Sequence, residues 1–212
     1  MSGLFVTFEG IEGCGKTTQA SRLKAALEKR GKGVILTREP GGTAVGTKLR
    51  EILLDPMTRH LVPLAELLLY EADRAQHVTE TIRPALEAGK IVLCDRYIDA
   101  STAYQGAARG VAPDTVEALN RIATGGLVPD LTLLLDLAAD LSVGRARERA
   151  INAGAKPDRF EREALPFHEA VRSGYLAIAT RFPGRFVKIA ADRPVEEIER
   201  DVLEIVWSRV GA

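Results

Sequence analysis

The chain has 212 residues, 29 lysines and arginines against 29 aspartates and glutamates, a formal net charge of zero and a hydrophobic fraction of 46%. That length suits one domain, 1–212, with a small mobile insert. The balanced charge argues against bulk nucleic-acid binding, which needs a basic face. No apolar run approaches the roughly 20 residues that cross a bilayer, so neither nucleic acid nor membrane is expected as a partner. Met1-Ser2-Gly3 has no basic segment, and no signal peptide is expected. The two cysteines, Cys14 and Cys94, have no metal or redox spacing and read as reduced thiols in a cytoplasmic protein.

In chain order, Leu4-Phe5-Val6-Thr7-Phe8 predicts a strand. Glu9-Gly10-Ile11-Glu12-Gly13-Cys14-Gly15-Lys16-Thr17-Thr18 follows, then Leu23, Ala26, Leu27 and Arg30 at helical spacing. A strand, a glycine-rich turn and a helix are the context in which G-x-x-x-x-G-K-[ST] reads as a phosphate-binding loop. Gly10, Gly13 and Gly15 permit positive φ and leave no Cβ between backbone and ligand. The helix begun at Lys16 turns its unpaired N–H groups toward the same point. Lys16 adds charge for the β- and γ-phosphates, and the Thr17 hydroxyl a ligand for Mg²⁺.

Val34–Thr37 predicts a second strand, followed by Arg38-Glu39-Pro40-Gly41-Gly42-Thr43, a loop where α/β folds bind ligands. Leu49, Ile52 and Leu53 mark a short helix that closes near Asp55-Pro56. Residues 63–88 read as a longer helix with Leu64, Leu67 and Leu68 as a buried stripe and a kink or restart at Pro84. Tyr70 and Arg74, four apart, share one face. Ile91–Cys94 is a third strand running into Asp95-Arg96-Tyr97, then a polar segment from Asp99 to Gln105 and a loop at Gly106–Gly110. A helix from Pro113 to Gly125 turns Val116, Leu119, Ile122 and Ala123 inward. Leu131–Leu135 is a fourth strand, ending at Asp136. Arg145, Arg147, Arg149, Arg159 and Arg162 make a basic stretch, interrupted by Gly154, Lys156 and Pro157 as a mobile loop. A helix over 163–181, a strand over 186–189 and a helix from Pro194 complete the pattern. Strands alternating with helices imply a parallel sheet covered on both faces, here an α/β, three-layer P-loop fold with five strands.

A phosphate loop alone does not separate a GTPase, a motor ATPase and a small-molecule kinase. No guanine-binding N/T-K-x-D motif stands in context, and the chain has no second ATPase core. The arginines after strand four sit where nucleotide kinases carry a lid, which excludes water and brings charge to the phosphoryl group.

Over nearly its full length the chain resembles the thymidylate kinases. The resemblance rests on the phosphate loop, on Thr37-Arg38-Glu39-Pro40-Gly41-Gly42-Thr43, and on Leu93-Cys94-Asp95-Arg96-Tyr97 continuing to Ser101-Thr102-Ala103-Tyr104-Gln105-Gly106. Pro129-Asp130-Leu131-Thr132 and Asp158-Arg159-Phe160-Glu161 add to it. The resemblance implies a nucleoside-monophosphate-kinase-like fold and transfer of the ATP γ-phosphoryl to dTMP, giving dTDP and ADP. It implies that Gly10 to Thr18, with Ile11, Cys14 and Thr18 included, hold ATP together with Arg145. Thr17 and Asp95 attend Mg²⁺, with Asp136 as the competing carboxylate. Glu12 faces the acceptor 3′-hydroxyl or a magnesium-bound water, and Arg96 grips the acceptor phosphate. Tyr70 stacks on the pyrimidine and Arg74 hydrogen-bonds the base. Tyr104 lies under the deoxyribose, Gln105 and Ser101 are base-side contacts, and Arg38, Pro40 and Arg50 complete the dTMP site.

Some members carry an arginine inside the phosphate loop; this chain has Gly13 there and resembles the bacterial type whose lid, here about 145–162, supplies that charge. Arg149 is the first choice for this finger, with Arg145 and Arg159 behind it and Arg147 facing away. The family implies a homodimer. Two other readings are a kinase for another nucleoside monophosphate or deoxynucleoside, and a P-loop switch without an acceptor pocket; the lining at Tyr70, Arg74, Arg96, Tyr104 and Gln105 argues against the switch.

Overall fold

A computed structural model describes residues 3–58, 60–152, 154 and 158–210, without the side chains of 149–151. The strands are β1 Phe5–Glu9, β2 Val34–Arg38, β3 Ile91–Asp95, β4 Leu131–Asp136 and β5 Phe186–Ala190. The helices are α1 Lys16–Glu28, α2 Ala44–Leu54, α3 Pro63–His77, α4 Arg83–Glu87, α5 Ile98–Ser101, α6 Pro113–Thr124, α7 Ala139–Asn152, α8 Leu165–Arg181 and α9 Val195–Val210. All strand pairs are parallel and the order is β2-β3-β1-β4-β5. The central strand β1 therefore carries its loop to the middle of the sheet's carboxyl edge, flanked by the ends of β3 and β4.

Alternation along the strands builds the layers, because successive side chains point to opposite faces. Val6, Phe8, Leu93, Leu131, Leu133 and Leu135 pack with Leu23 and Leu27 of α1 and Ile198, Val202 and Val206 of α9. On the other face Phe5, Val92 and Cys94 pack with Val78, Ile82 and Tyr97, and Leu134 with Tyr104, Val171 and Tyr175. Each such side chain, fully buried, contributes about 1.5–3 kcal/mol. Asp130, just before β4, accepts the Phe5 N–H at 2.7 Å and ties the two central strands at their start.

Some predicted apolar faces are corrected. Leu67 is fully buried, but Leu64 and Leu68 stay about half exposed, because α3 turns Leu67, Glu71 and Arg74 inward instead. Ile122 is 74% exposed; α6 buries Val116, Asn120 and Thr124, an i, i+4 ladder in which two members are polar. The predicted 63–88 helix is three segments: α3, wider turns over Val78–Ile82, and α4. The wide turns end just before Pro84, which has no N–H to continue an i→i−4 ladder. The polar segment after β3 is also helical, as α5 and then wide turns over Thr102–Ala108. It is pressed against α8, where a Cβ on Gly174 would come within 2.8 Å of the Ala107 Cβ.

Candidate active site

The phosphate loop leaves β1 with Gly10, Gly13 and Gly15 at φ of 136°, 71° and 98°, values open to glycine and strained for other residues. Lys16 Nζ donates to the carbonyls of Gly10 (3.0 Å) and Ile11 (2.8 Å), which curls the loop around its own lysine. The Thr17 hydroxyl donates to Asp95 at the end of β3 at 2.6 Å. Asp136, the competing carboxylate, is instead held by Arg172 through two bonds of 2.7 and 3.2 Å. The start of α7 covers the loop: Ser142 Oγ donates to the Glu12 carbonyl. A Cβ at Gly13 would stand 2.6 Å from the Ser142 carbonyl oxygen and 3.3 Å from the Arg145 Cβ, so the helix leaves no room for a side chain there.

Glu12 points from the loop into a cavity. Its Oε1 accepts from Arg96 (2.9 Å) and from the Tyr104 hydroxyl (2.6 Å), and Arg96 lies over the Tyr104 ring at 4.8 Å. Burial works to raise the Glu12 pKa, but the charges of Arg96 and Lys16 and the hydrogen bond from Tyr104 outweigh it and hold the carboxyl well below its usual range. Arg96 adopts φ of 74°, costly for a side chain of its size. Two bonds fix that conformation: its N–H donates to the Phe8 carbonyl (3.0 Å) and the next N–H, of Tyr97, to Glu9 (2.7 Å). Glu12, Gly13, Lys16, Thr17, Asp95 and Arg96 line one end of the cavity, and Arg38, Pro40, Arg50, Tyr70, Ser101, Tyr104 and Gln105 the rest. A larger cavity of about 1020 Å³ lies between α6 and α8, but it is apolar and away from the strand ends, so size does not locate the chemistry.

Arg74 departs from expectation: it is fully buried and absent from the cavity wall. Its Nε donates to Glu39 (2.8 Å), and its other nitrogens to Glu71 (2.5 Å), Ser101 (3.0 Å), Asn120 (2.7 Å) and the Tyr97 carbonyl (3.1 Å). Spacing placed it beside Tyr70, but the buried carboxylates of Glu39 and Glu71 claim its guanidinium. It holds the Arg38-Glu39-Pro40 loop and Ser101 in place from behind.

The thymidylate kinase family model matches residues 8–202. A thymidylate kinase of Desulfovibrio desulfuricans is 54% identical over 213 residues, covering 98% of each chain. One of Trichlorobacter lovleyi is 48% identical over 209 residues, covering 98% of this chain and 99% of its own. The crystal structure of thymidylate kinase from Ehrlichia chaffeensis superposes with a TM-score of 0.78 at 32% identity, covering 98% of this chain and 99% of that one.

The chain belongs to the thymidylate kinase family. It is an enzyme of that family's reaction, the phosphorylation of dTMP to dTDP with ATP. Against that reaction the lid residues separate. Arg145 donates to the Ala191 carbonyl at 2.9 Å with its stem against the phosphate loop. Arg147 is exposed. The Arg149 side chain, and Lys156 and Pro157 of the expected mobile loop, lie outside the described residues. Arg159 is buried, donating to Glu66 and to the Leu53 carbonyl (2.9 Å).

Sequence reasoning missed several members of this site. Phe160 and Asp158 line the cavity, with the Phe160 ring 6.5 Å from that of Tyr70. Glu66, fully buried, joins Gln105 (2.7 Å) to Arg159. Glu9, fully buried at the end of β1, accepts from Tyr97 N–H and from the Tyr175 hydroxyl (2.7 Å). Burial and then Asp99 push its pKa up to about 8, against the pull of Arg96. The sole sequence signal for Glu9 was a carboxylate set directly behind an apolar strand.

Proposed function

We propose that the reaction runs in this one cavity, with ATP on the phosphate loop and dTMP between Tyr70 and Tyr104. The observation that carries this reading is the joining, through Glu12, of the phosphate loop to Arg96 and Tyr104. In this assignment Gly10 to Thr18 and Lys16 hold the ATP phosphates, and Arg145 borders them. Arg96, Arg38 and Arg50 approach the acceptor phosphate, a fork geometry suited to paired hydrogen bonds. Tyr70 stacks on the base, with Pro40, Ser101 and Gln105 around it. Tyr104 underlies the sugar and Glu12 meets its 3′-hydroxyl. The acceptor oxygen is already anionic near neutral pH, so positioning and charge neutralisation do most of the work. A lid over 145–162, with Arg149 as its finger, closes a single domain and excludes water.

The Thr17 hydroxyl and the Asp95 carboxylate are hard oxygen donors already aimed at each other, which fits Mg²⁺. When bound, the ion neutralises phosphate charge. A homodimer is supported by Val45 and Ile52 on α2 and Leu64 and Leu68 on α3, apolar side chains 44–49% exposed. Two buried free thiols, Cys14 and Cys94, fit a reducing cytoplasm. ADP production with ATP, Mg²⁺ and dTMP, dUMP, dCMP, dGMP, AMP or UMP in turn is the test. Strong preference for dTMP supports the base-site assignment. Preference for another acceptor would remove the roles given to Tyr70 and Gln105.

A further inference from the structure

His168 on α8 is 1% exposed and has no role in the assignment above. Its Nδ1 stands 3.5 Å from Glu12 Oε2. Glu12 Oε2 and both His168 ring nitrogens are buried and have no hydrogen-bond partner among the described residues. Three such atoms in one place are unfavourable, and a ring there only for its volume would have no reason to be an imidazole. The other Glu12 oxygen, Oε1, is already taken by Arg96 and Tyr104. The ring is held edge-on by Phe167, 5.6 Å away at 88°, which in turn contacts Tyr104.

We propose that His168 is a positioning residue for Glu12: Nδ1–H donates to Oε2 and fixes the carboxylate plane toward the acceptor sugar. This rests on the reading that Glu12 meets the acceptor 3′-hydroxyl. The gap closes with a shift of about 0.7 Å to ordinary hydrogen-bond length. Bonds of this kind are often long before substrate arrives and tighten in the complex. Oε1 then serves Arg96 and Tyr104 while Oε2 is oriented from the opposite side.

The test compares His168→Asn with His168→Leu, side chains of one shape that differ in the donor at the Nδ1 position. Steady-state kinetics are measured with dTMP and with 3′-deoxy-dTMP, beside Glu12→Gln and thermal melts. A charge-assisted hydrogen bond predicts that His168→Leu loses about 10- to 100-fold in kcat/KM for dTMP, with KM for ATP nearly unchanged. His168→Asn should recover most of that loss at the same melting temperature. With 3′-deoxy-dTMP the gap between the two variants should close, because the hydroxyl that Glu12 serves is gone. Equal losses in both variants, or an equal gap with both acceptors, would overturn the proposal. If Glu12→Gln is impaired and His168→Leu is not, His168 alone loses its role; if Glu12→Gln is unimpaired, the reading of Glu12 falls and the proposal with it.

Discussion

The two ends of the cavity are built in different ways. The phosphate end is nearly contiguous: Gly10 to Thr18, with Asp95 brought beside Thr17 by the β1–β3 pairing. Its geometry follows from glycine at positive φ and from a helix starting at Lys16. The acceptor end is assembled from the β2 loop, α2, α3, the turns after β3 and residues 158–160. Its pieces are set by buried charge contacts between distant residues, Arg74 with Glu39 and Glu66 with Arg159. Buried ion pairs add little net stability, but breaking one strands a charge. Local backbone preference therefore suffices to make a general phosphate cradle, whereas a selective wall needs long-range pairs that fix loop direction.

The largest effect should come at the phosphate end. Arg149→Ala is expected to lower kcat by ~10³ or more, the scale of an arginine finger, while exposed Arg147→Ala should change it little. A loss in Arg147→Ala alone would move the finger to the other side of α7. The acceptor end should answer in KM. Tyr70→Ala removes a stacking surface worth about 1–3 kcal/mol, so KM for dTMP should rise ~10- to 100-fold. KM for ATP should stay put; if both rise together, the two ends are not separable. A smaller effect is expected at their junction with α7. Gly13→Ala puts a Cβ 2.6 Å from the Ser142 carbonyl at φ of 71°. It should cost about 1–2 kcal/mol from the left-handed backbone alone, visible as a lower melting temperature, with a further loss in kcat as α7 is displaced. Unchanged melting would mean that α7 does not rest on the loop.

What the sequence disclosed follows the same division. Apolar runs bounded by glycine, proline or turns located all five strands to within a residue, since each signal is local. Tyr70, Tyr104, Gln105, Arg96 and the phosphate loop were legible from motif and resemblance, and one cavity brings them together. Helical spacing shows which residues share a face but not what waits there; the Arg74 guanidinium is met by Glu39, 35 positions away. Leu64, Leu68 and Ile122 were placed inward because periodicity registers apolar residues whether or not the same chain covers them. The helix over 98–108 was hidden because packing on α8, not composition, makes it.

Glu9 is buried behind the Arg96 turn, outside the cavity wall, and its effect should be small and readable only against pH. In the folded chain its carboxyl is raised from 4.5 to about 8, first by burial and then by Asp99. The folded state therefore keeps a proton that the unfolded chain gives up above about pH 4.5. Stability from this group is complete below that pH and declines as pH rises toward 8, with a slope of at most ~1.4 kcal/mol per unit. Glu9→Gln removes the titration and keeps the geometry: the amide oxygen accepts from Tyr97 N–H and the amide nitrogen reaches the Tyr175 hydroxyl. The variant's melting temperature, compared with the wild type at pH 5, 6.5 and 8, should gain on it as pH rises. A difference that does not move in the variant's favour as pH rises would mean that Arg96 keeps Glu9 ionised. The strained turn at Arg96 would then be held by a charge pair and not by a neutral, doubly bonded carboxyl.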